Sequence, residues 1–259
     1  MRGPHNLWRL IRTGATFERT GAIRVILEGF GAPLSVRILA RTLAWPFTWL
    51  GLRGDPALPP VTRALTALGP SYIKFGQILS TRPDIVGEKM ALQLKYLQDQ
   101  LPPFSTDLAK AMVAAELGQS VEAIFAEFSE PVAAASIAQV HKARLVHDDR
   151  AVAVKVLRPG IERAFRKDID AFYLAASTLE RLLPSTRRLR PLEVIRHFEG
   201  VVMGELDLRL ESASASEFLA NTAKDAGFQV PQPVWRLSGR SVMTMDWAEG
   251  INLSDNAAL

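Results

Sequence analysis

The chain of 259 residues contains no cysteine. That absence excludes disulfides, zinc–cysteine sites and thiol nucleophiles together. Histidine is scarce, with four in the chain. None has the HExxH or similar spacing of a metal helix, which argues against a protein-made zinc site, and each His reads as a surface or loop residue. No apolar stretch is long enough to span a bilayer. The longest charge-free one near the start runs from Thr42 to Leu52, against the ~20 residues a spanning helix needs. A signal peptide fits poorly, because Arg9, Arg12 and Arg19 break the first apolar run and no small-residue cleavage site follows it. Lysine is missing from residues 1–60, which hold eight arginines and three acids for a net of +5.

What is present is globular in character. Apolar residues make up 48% and charged residues 22%, enough to build a sizeable core. Net charge is +4, and it belongs to the N-terminal arm. Arginines there alternate with Trp8, Leu10, Ile11, Phe17, Ile23, Val25, Ile26 and Leu27, and further on with Trp45, Phe47 and Trp49 around Pro46. Apolar residues among arginines suit a membrane interface better than a nucleic-acid-reading arm. A basic amphipathic helix packed on its own domain fits the pattern equally well, and both readings stay open.

Three regions separate by composition. Residues 1–54 form the basic, membrane-proximal arm. Three prolines between Gly54 and Pro60 mark a linker. Residues 61–104 carry helical periodicity through Leu65, Leu68, Tyr72, Phe75 and Leu79, with Pro70 and Pro83 suited to first helical turns. Residues 105–259 start with a helical pattern over 105–128 and then change character. Val132 and Ile137–Leu145 read as strands around a small-residue turn. Ala151–Leu157 is β-branched and turn-bounded, a strand signature. Residues 161–183 and 191–221 read as long helices. Val230–Trp235 and Ser241–Met245 read as two more strands around Ser238-Gly239-Arg240.

This order resembles the small lobe of a protein kinase. There a glycine loop of the form G-x-G-x-x-G-x-V covers the phosphates and a V-A-I-K strand follows. Here Ala133, Ala135 and Ala138 stand at the three glycine positions, with Ala134, Ser136 and Val140 in the same loop, and Val152-Ala153-Val154-Lys155 follows. A phosphate-binding loop needs tiny side chains so that backbone N–H groups come close. A Cβ at positive φ is costly, so an alanine loop is expected to be stiffer and choosier than a glycine one. Either motif alone reads as ordinary helix or sheet; together, in this order, they are specific.

Three segments together are similar to the UbiB family of atypical kinase-like proteins, which serve ubiquinone biosynthesis. Leu68 to Asp84, centred on Lys74-Phe75-Gly76-Gln77, resembles the family's KxGQ signature. Ala133 to His141 resembles its alanine-rich loop. Glu205-Leu206-Asp207, followed by Glu211, resembles its ExD motif and lysine-pairing glutamate. The resemblance implies an α+β fold: a kinase-like small lobe, antiparallel sheet plus helices, with an N-terminal helical extension. It implies that Lys155 contacts phosphates and pairs with Glu211. Lys74 and Gln77 would lie where a protein substrate enters, with Glu205 and Asp207 facing them. It places the nucleotide against Val132, Ala133, Ala134, Ala135, Ser136, Ala138, Val140, Ala153 and Lys155, and against a hinge at Met245 to Ala248 that includes Trp247. It also gives Gly76 a reason, the close approach of its helix to another surface.

A kinase-like enzyme needs a catalytic-loop aspartate and a metal-binding aspartate after the hinge. The sequence stops nine residues past Gly250, so the large lobe and its Mg2+ ligands are expected to lie outside it. The expected function is the N-terminal part of an ATP-dependent atypical kinase, a transferase or ATPase. It would bind ATP or ADP with Mg2+ and act peripherally on the cytoplasmic face of a bacterial inner membrane. Its expected partners are a membrane lipid or ubiquinone precursors and a ubiquinone biosynthesis complex, not nucleic acid. The alternative is a non-catalytic pseudokinase scaffold.

Overall fold

The computed structural model describes residues 4–29, 31–97, 102–182, 184–227 and 229–250. The arm holds three helices, α1 (Pro4–Arg19), α2 (Ala22–Gly29) and α3 (Leu34–Ala44), and a 3₁₀ segment over Trp45–Leu50. Then come α4 (Pro60–Leu68), α5 (Pro70–Ser80), α6 (Pro83–Val86), α7 (Glu88–Leu94) and a 3₁₀ turn over Lys95–Leu97. Pro60, Pro70 and Pro83 each occupy a first turn, where the missing N–H has no helical partner to lose. Next are α8 (Thr106–Leu117), α9 (Val121–Ile124), β1 (Phe125–Ala134), β2 (Ala138–Leu145) and β3 (Ala151–Leu157). The chain ends its described course with α10 (Ile161–Leu182), a 3₁₀ segment over Pro184–Leu189, α11 (Pro191–Glu205), α12 (Leu208–Asn221), a 3₁₀ turn over Trp235–Leu237 and β4 (Val242–Asp246).

Two compact units result. One combines residues 1–102 with 160–203; the other combines 103–159 with 204–259. The first is helical. Its core gathers Ala64, Leu65, Tyr72, Ile73, Leu94 and Leu97. Beside them Phe75 meets Phe172 and Phe198 with ring centroids 5.4 and 5.1 Å apart. Gly76 sits inside this packing. A Cβ there would strike Leu97 Cδ1 and lie 2.7 Å from Leu65 Cδ1, so the glycine is where α5 comes close to its neighbours, all within this unit. Gly51 is tighter still: its Cβ would fall 2.5 Å from the carbonyl carbon of Ala15.

The second unit is a four-stranded antiparallel sheet in the order β1-β2-β3-β4 with helices around it. This is the α+β arrangement of a kinase-like small lobe. One sheet face buries Ala143, Leu145, Val152, Val154, Val156 and Val242 against Val113 of α8 and Val121, Ile124 and Phe125. β3 alternates over Ala151–Val156, with its valines inward and Ala151, Ala153 and Lys155 outward, and Leu157 at its end is buried as well.

Four sequence expectations need correction. The helical pattern over 105–128 stops at Ile124, and Phe125 and Phe128 lie on β1; Phe125 pairs with Leu145 across the sheet. The stretch 191–221 is two helices rather than one. Asp207 ends the continuity by taking the N-cap of α12, its carboxylate accepting from the Arg209 N–H. The expected strand over 230–235 is a single bridge, Pro233 to Met245, because Pro231 and Pro233 have no N–H to give a ladder. Finally, His141 is fully buried on β2 rather than at the surface.

Candidate nucleotide-binding site

The alanine segment is a hairpin turn. Ala133 pairs with Val140 and Ala134 with Gln139, and Ala135 N–H donates to Ala138 O at 2.8 Å. Among the described non-glycine residues only Asp149 and Arg190 have positive φ. The turn therefore closes without the left-handed conformation that alanine resists, and the expected steric cost does not arise. Ala133 and Ala135 are exposed while Ser136 and Ala138 are buried. The small side chains thus present backbone rather than bulk at the turn.

Register then fixes what surrounds it. Ala133, Val140, Lys155 and Met243 form one cross-strand row, and Lys142, Ala153 and Met245 form the next. Both rows are on the face opposite the apolar core. Lys155 Nζ donates to both carboxylate oxygens of Glu211, at 2.6 and 2.7 Å. Glu211 lies in the first turn of α12, where a negative charge also suits the helix dipole. The lysine side chain keeps 23% of its surface exposed. The ammonium is thus aimed by one carboxylate and still accessible, which is what a phosphate-contacting cation requires. Met245 and Trp247 follow at the exit of β4. Trp247 N–H donates to Ala151 O at 3.1 Å, and Lys142 Nζ lies 4.7 Å over the Trp247 ring. Val132, beside the turn on β1, is half exposed.

The remaining motif residues, Lys74 and Gln77 in the helical unit and Glu205 and Asp207 in the sheet unit, occupy distinct positions. Lys74 is half-buried on α5. Gln77 donates through Nε2 to Leu97 O at 3.0 Å. Glu205 ends α11. Asp207 caps α12 and receives Arg209 Nε at 2.8 Å, and that guanidinium holds its carboxyl below the usual range.

Sequence reasoning missed two features of the sheet unit. Arg158 donates through Nε and Nη2 to Ala135 O at 3.2 and 3.1 Å, and its own N–H donates to Ile137 O. The residue three after the lysine therefore braces the alanine turn from behind. The other feature is a buried network. Gln139 accepts from Phe104 N–H at 2.9 Å and donates to Phe104 O at 3.2 Å. Its second amide hydrogen goes to His141 Nε2 at 2.9 Å. His141 Nδ1 in turn donates to Ser129 O at 2.8 Å. All the amide's hydrogens are used only in this orientation, which assigns the neutral Nδ1–H tautomer. Burial pushes the His141 pKa down. A single polar residue after a run of alanines gives no hint of this in the sequence.

The helical unit contains a cavity of about 360 Å³ lined almost entirely by apolar side chains, among them Phe17, Tyr72, Phe75, Leu79, Met90 and Phe172. At its wall the Tyr72 hydroxyl is hydrogen-bonded to Thr13 Oγ1 at 2.6 Å. Among the described residues no group of three or more His, Asp or Glu side chains is placed to hold a metal ion.

Residues 96–259 match the family model described as ABC1 atypical kinase-like domain. Three curated relatives share the name "Probable protein kinase UbiB". That of Marinobacter nauticus is 43% identical over 76% of this chain and 36% of its own length. That of Pseudomonas aeruginosa is 39% identical over 95% of this chain and 46% of its own. That of Azotobacter vinelandii is 40% identical over 97% and 47%. The chain spans less than half the length of these relatives.

Proposed function

From the premise that this chain belongs to the ABC1 atypical kinase-like family, we propose that it is the nucleotide-gripping part of a UbiB-type ATPase. It would work at a membrane surface in support of ubiquinone biosynthesis. The observation that carries this reading is the Lys155–Glu211 pair, set in one row with the alanine turn on the open face of the sheet. The residues fit a nucleoside triphosphate: Lys155 would hold its phosphates, Ala133, Ala134 and Ala135 would let it close on the backbone, and Met245 and Trp247 would flank the base. Bound Mg–ATP supplies the phosphoryl chemistry, and the metal would be held by residues other than the described ones. The family's motif residues, Lys74 and Gln77 in one unit and Glu205 and Asp207 in the other, would favour hydrolysis over transfer to a protein. The apolar cavity of the helical unit supports a partner with a hydrocarbon portion, a membrane lipid or a ubiquinone precursor.

The test is made on the full-length protein. Wild type should bind Mg–ATP and hydrolyse it. Lys155→Ala should lose at least about tenfold in nucleotide affinity, the worth of one charge-assisted contact of about 1.4 kcal/mol, and should fail to support ubiquinone synthesis in a deletion strain. Undiminished nucleotide affinity, or full complementation by Lys155→Ala as a scaffold would give, contradicts the reading.

A further inference from the structure

Residues 29–54 contain three arginines and no acidic residue. Within them, α3 and the 3₁₀ segment after it leave an unusual amount of apolar surface in water. Trp45 and Trp49 are each 74% exposed, Leu34 71%, and Ile38, Leu39, Phe47 and Val36 are exposed as well. A soluble surface scatters such side chains singly; here seven lie within 16 positions. The base of the element, by contrast, is anchored. Arg19 Nη1 donates to Gly51 O at 2.8 Å, Leu52 N–H donates to the buried Thr16 hydroxyl at 3.0 Å, and Gly51 lies directly against the α1 backbone. A rigid base with a greasy tip is therefore a property of the local fold and not of fraying.

We infer that Leu34–Leu50 is a monotopic wedge that inserts into an anionic lipid surface. This rests on the membrane-surface reading above and names the element that makes the contact and the lipid class it selects. Neither α3 nor the 3₁₀ segment is long enough to span a bilayer, and no helix among the described residues is long and apolar enough to do so. Indole rings settle at the headgroup level. Arg37 and Arg41, on the same helix as the apolar residues, would meet lipid phosphates. Arg37 pairs with Glu28 at 3.4 Å and donates to Ala32 O at 2.9 Å, and Arg41 pairs with Glu18 at 3.8 Å. Charge complementarity chooses the occupant. A second copy would bring one +5 arm against another, whereas an anionic bilayer offers apolar depth and opposite charge together.

The experiment is flotation of the full chain with vesicles of phosphatidylcholine alone and of phosphatidylcholine with phosphatidylglycerol. The chain should float with the phosphatidylglycerol vesicles. Trp45→Ser/Trp49→Ser should weaken partitioning at least about tenfold, with an unchanged circular dichroism spectrum because both rings are exposed. Trp45→Phe/Trp49→Phe should retain most of the binding, and Arg37→Gln/Arg41→Gln should lose the preference for phosphatidylglycerol, about fivefold per arginine. If the full chain floats with neither vesicle, this inference and the membrane-surface reading fall together. If it floats but the serine variant floats equally well, the wedge alone is wrong. A dimer in sedimentation that the serine variant abolishes would also overturn it, by making the face a contact between copies.

Discussion

Replacing Gly76 by alanine sets two effects of opposite sign against each other, and the structure says which prevails. In an open helix the change should stabilise by about 1 kcal/mol, the difference in helix propensity. Here the new methyl would collide with Leu97 Cδ1, lie 2.7 Å from Leu65 Cδ1 and touch Leu94 Cδ2 at 3.4 Å. Those atoms are ends of flexible side chains, but Leu97 and Leu94 are buried and have little room to swing. Overpacking of this kind costs about 1–3 kcal/mol. With two approaches under 3 Å the cost belongs in the upper half of that range, so the net expectation is a loss of about 1–2 kcal/mol. For a unit of this size that lowers Tm by about 2–8 °C. The assay is equilibrium unfolding followed by circular dichroism, run as a double-mutant cycle with Leu97→Ala. The leucine change alone should cost about 2–5 kcal/mol. The double variant should be less destabilised than the sum of the two by about 1 kcal/mol or more, because the shortened side chain makes room for the methyl. A stabilised Gly76→Ala protein with additive behaviour would refute the claim that α5 needs a glycine to approach its neighbours.

Two further outcomes follow from the same geometry. Gly51→Ala drives a Cβ into backbone rather than side chain, 2.8 Å from Thr16 N, and should cost about 2–3 kcal/mol; a melting temperature equal to wild type would show that the arm is not anchored on α1. Folding stability should fall as pH drops below about 6.5, the ordinary histidine value. His141 is neutral in the folded state with its pKa lowered, so the unfolded chain binds the proton first, at up to about 1.4 kcal/mol per pH unit. Urea unfolding across this range should show the slope in wild type and lose it in His141→Asn; an equal slope in both would place the titrating group elsewhere. Tyr72 gives the alkaline counterpart. Burial pushes its pKa up to about 12, so its contribution is present below about pH 10 and is lost as pH rises from there. Difference absorbance at the phenolate band should show Tyr72 titrating last, and a normal titration of all three tyrosines would contradict the buried Tyr72–Thr13 pair.

Much of the site was legible because its logic is local. Small residues, a β-branched strand and a lysine at strand spacing announce a loop and the strand that follows it. Pro70 and Pro83 mark helix starts because a missing N–H has few tolerable positions, whereas Pro60, which reads as linker, also starts a helix. Legibility failed where the decisive partner is distant in the chain. His141 reads as superficial because nothing in the sequence shows that Phe128 packs on its ring and Ser129 O accepts from its Nδ1. The break at Asp207 within 191–221 gives no local signal, because a capping role depends on where the helix begins. Arg158 gave no signal because its acceptor is a backbone carbonyl, which every residue has.

By itself the sequence determined most of the order of elements, the alanine loop, the lysine on the strand that follows it, and the strongly basic, aromatic arm, while Glu211 as the lysine's partner is what the family resemblance implies. Those are matters of side-chain chemistry and short-range backbone preference. Only the tertiary structure decided three things: that the alanine turn closes with no left-handed residue, that residues 160–203 pack with the N-terminal helices, and that the tryptophans of the arm lie in the open. Each depends on which surfaces meet after long loops have closed, a choice made by shape and burial over the whole unit rather than by any one stretch of chain.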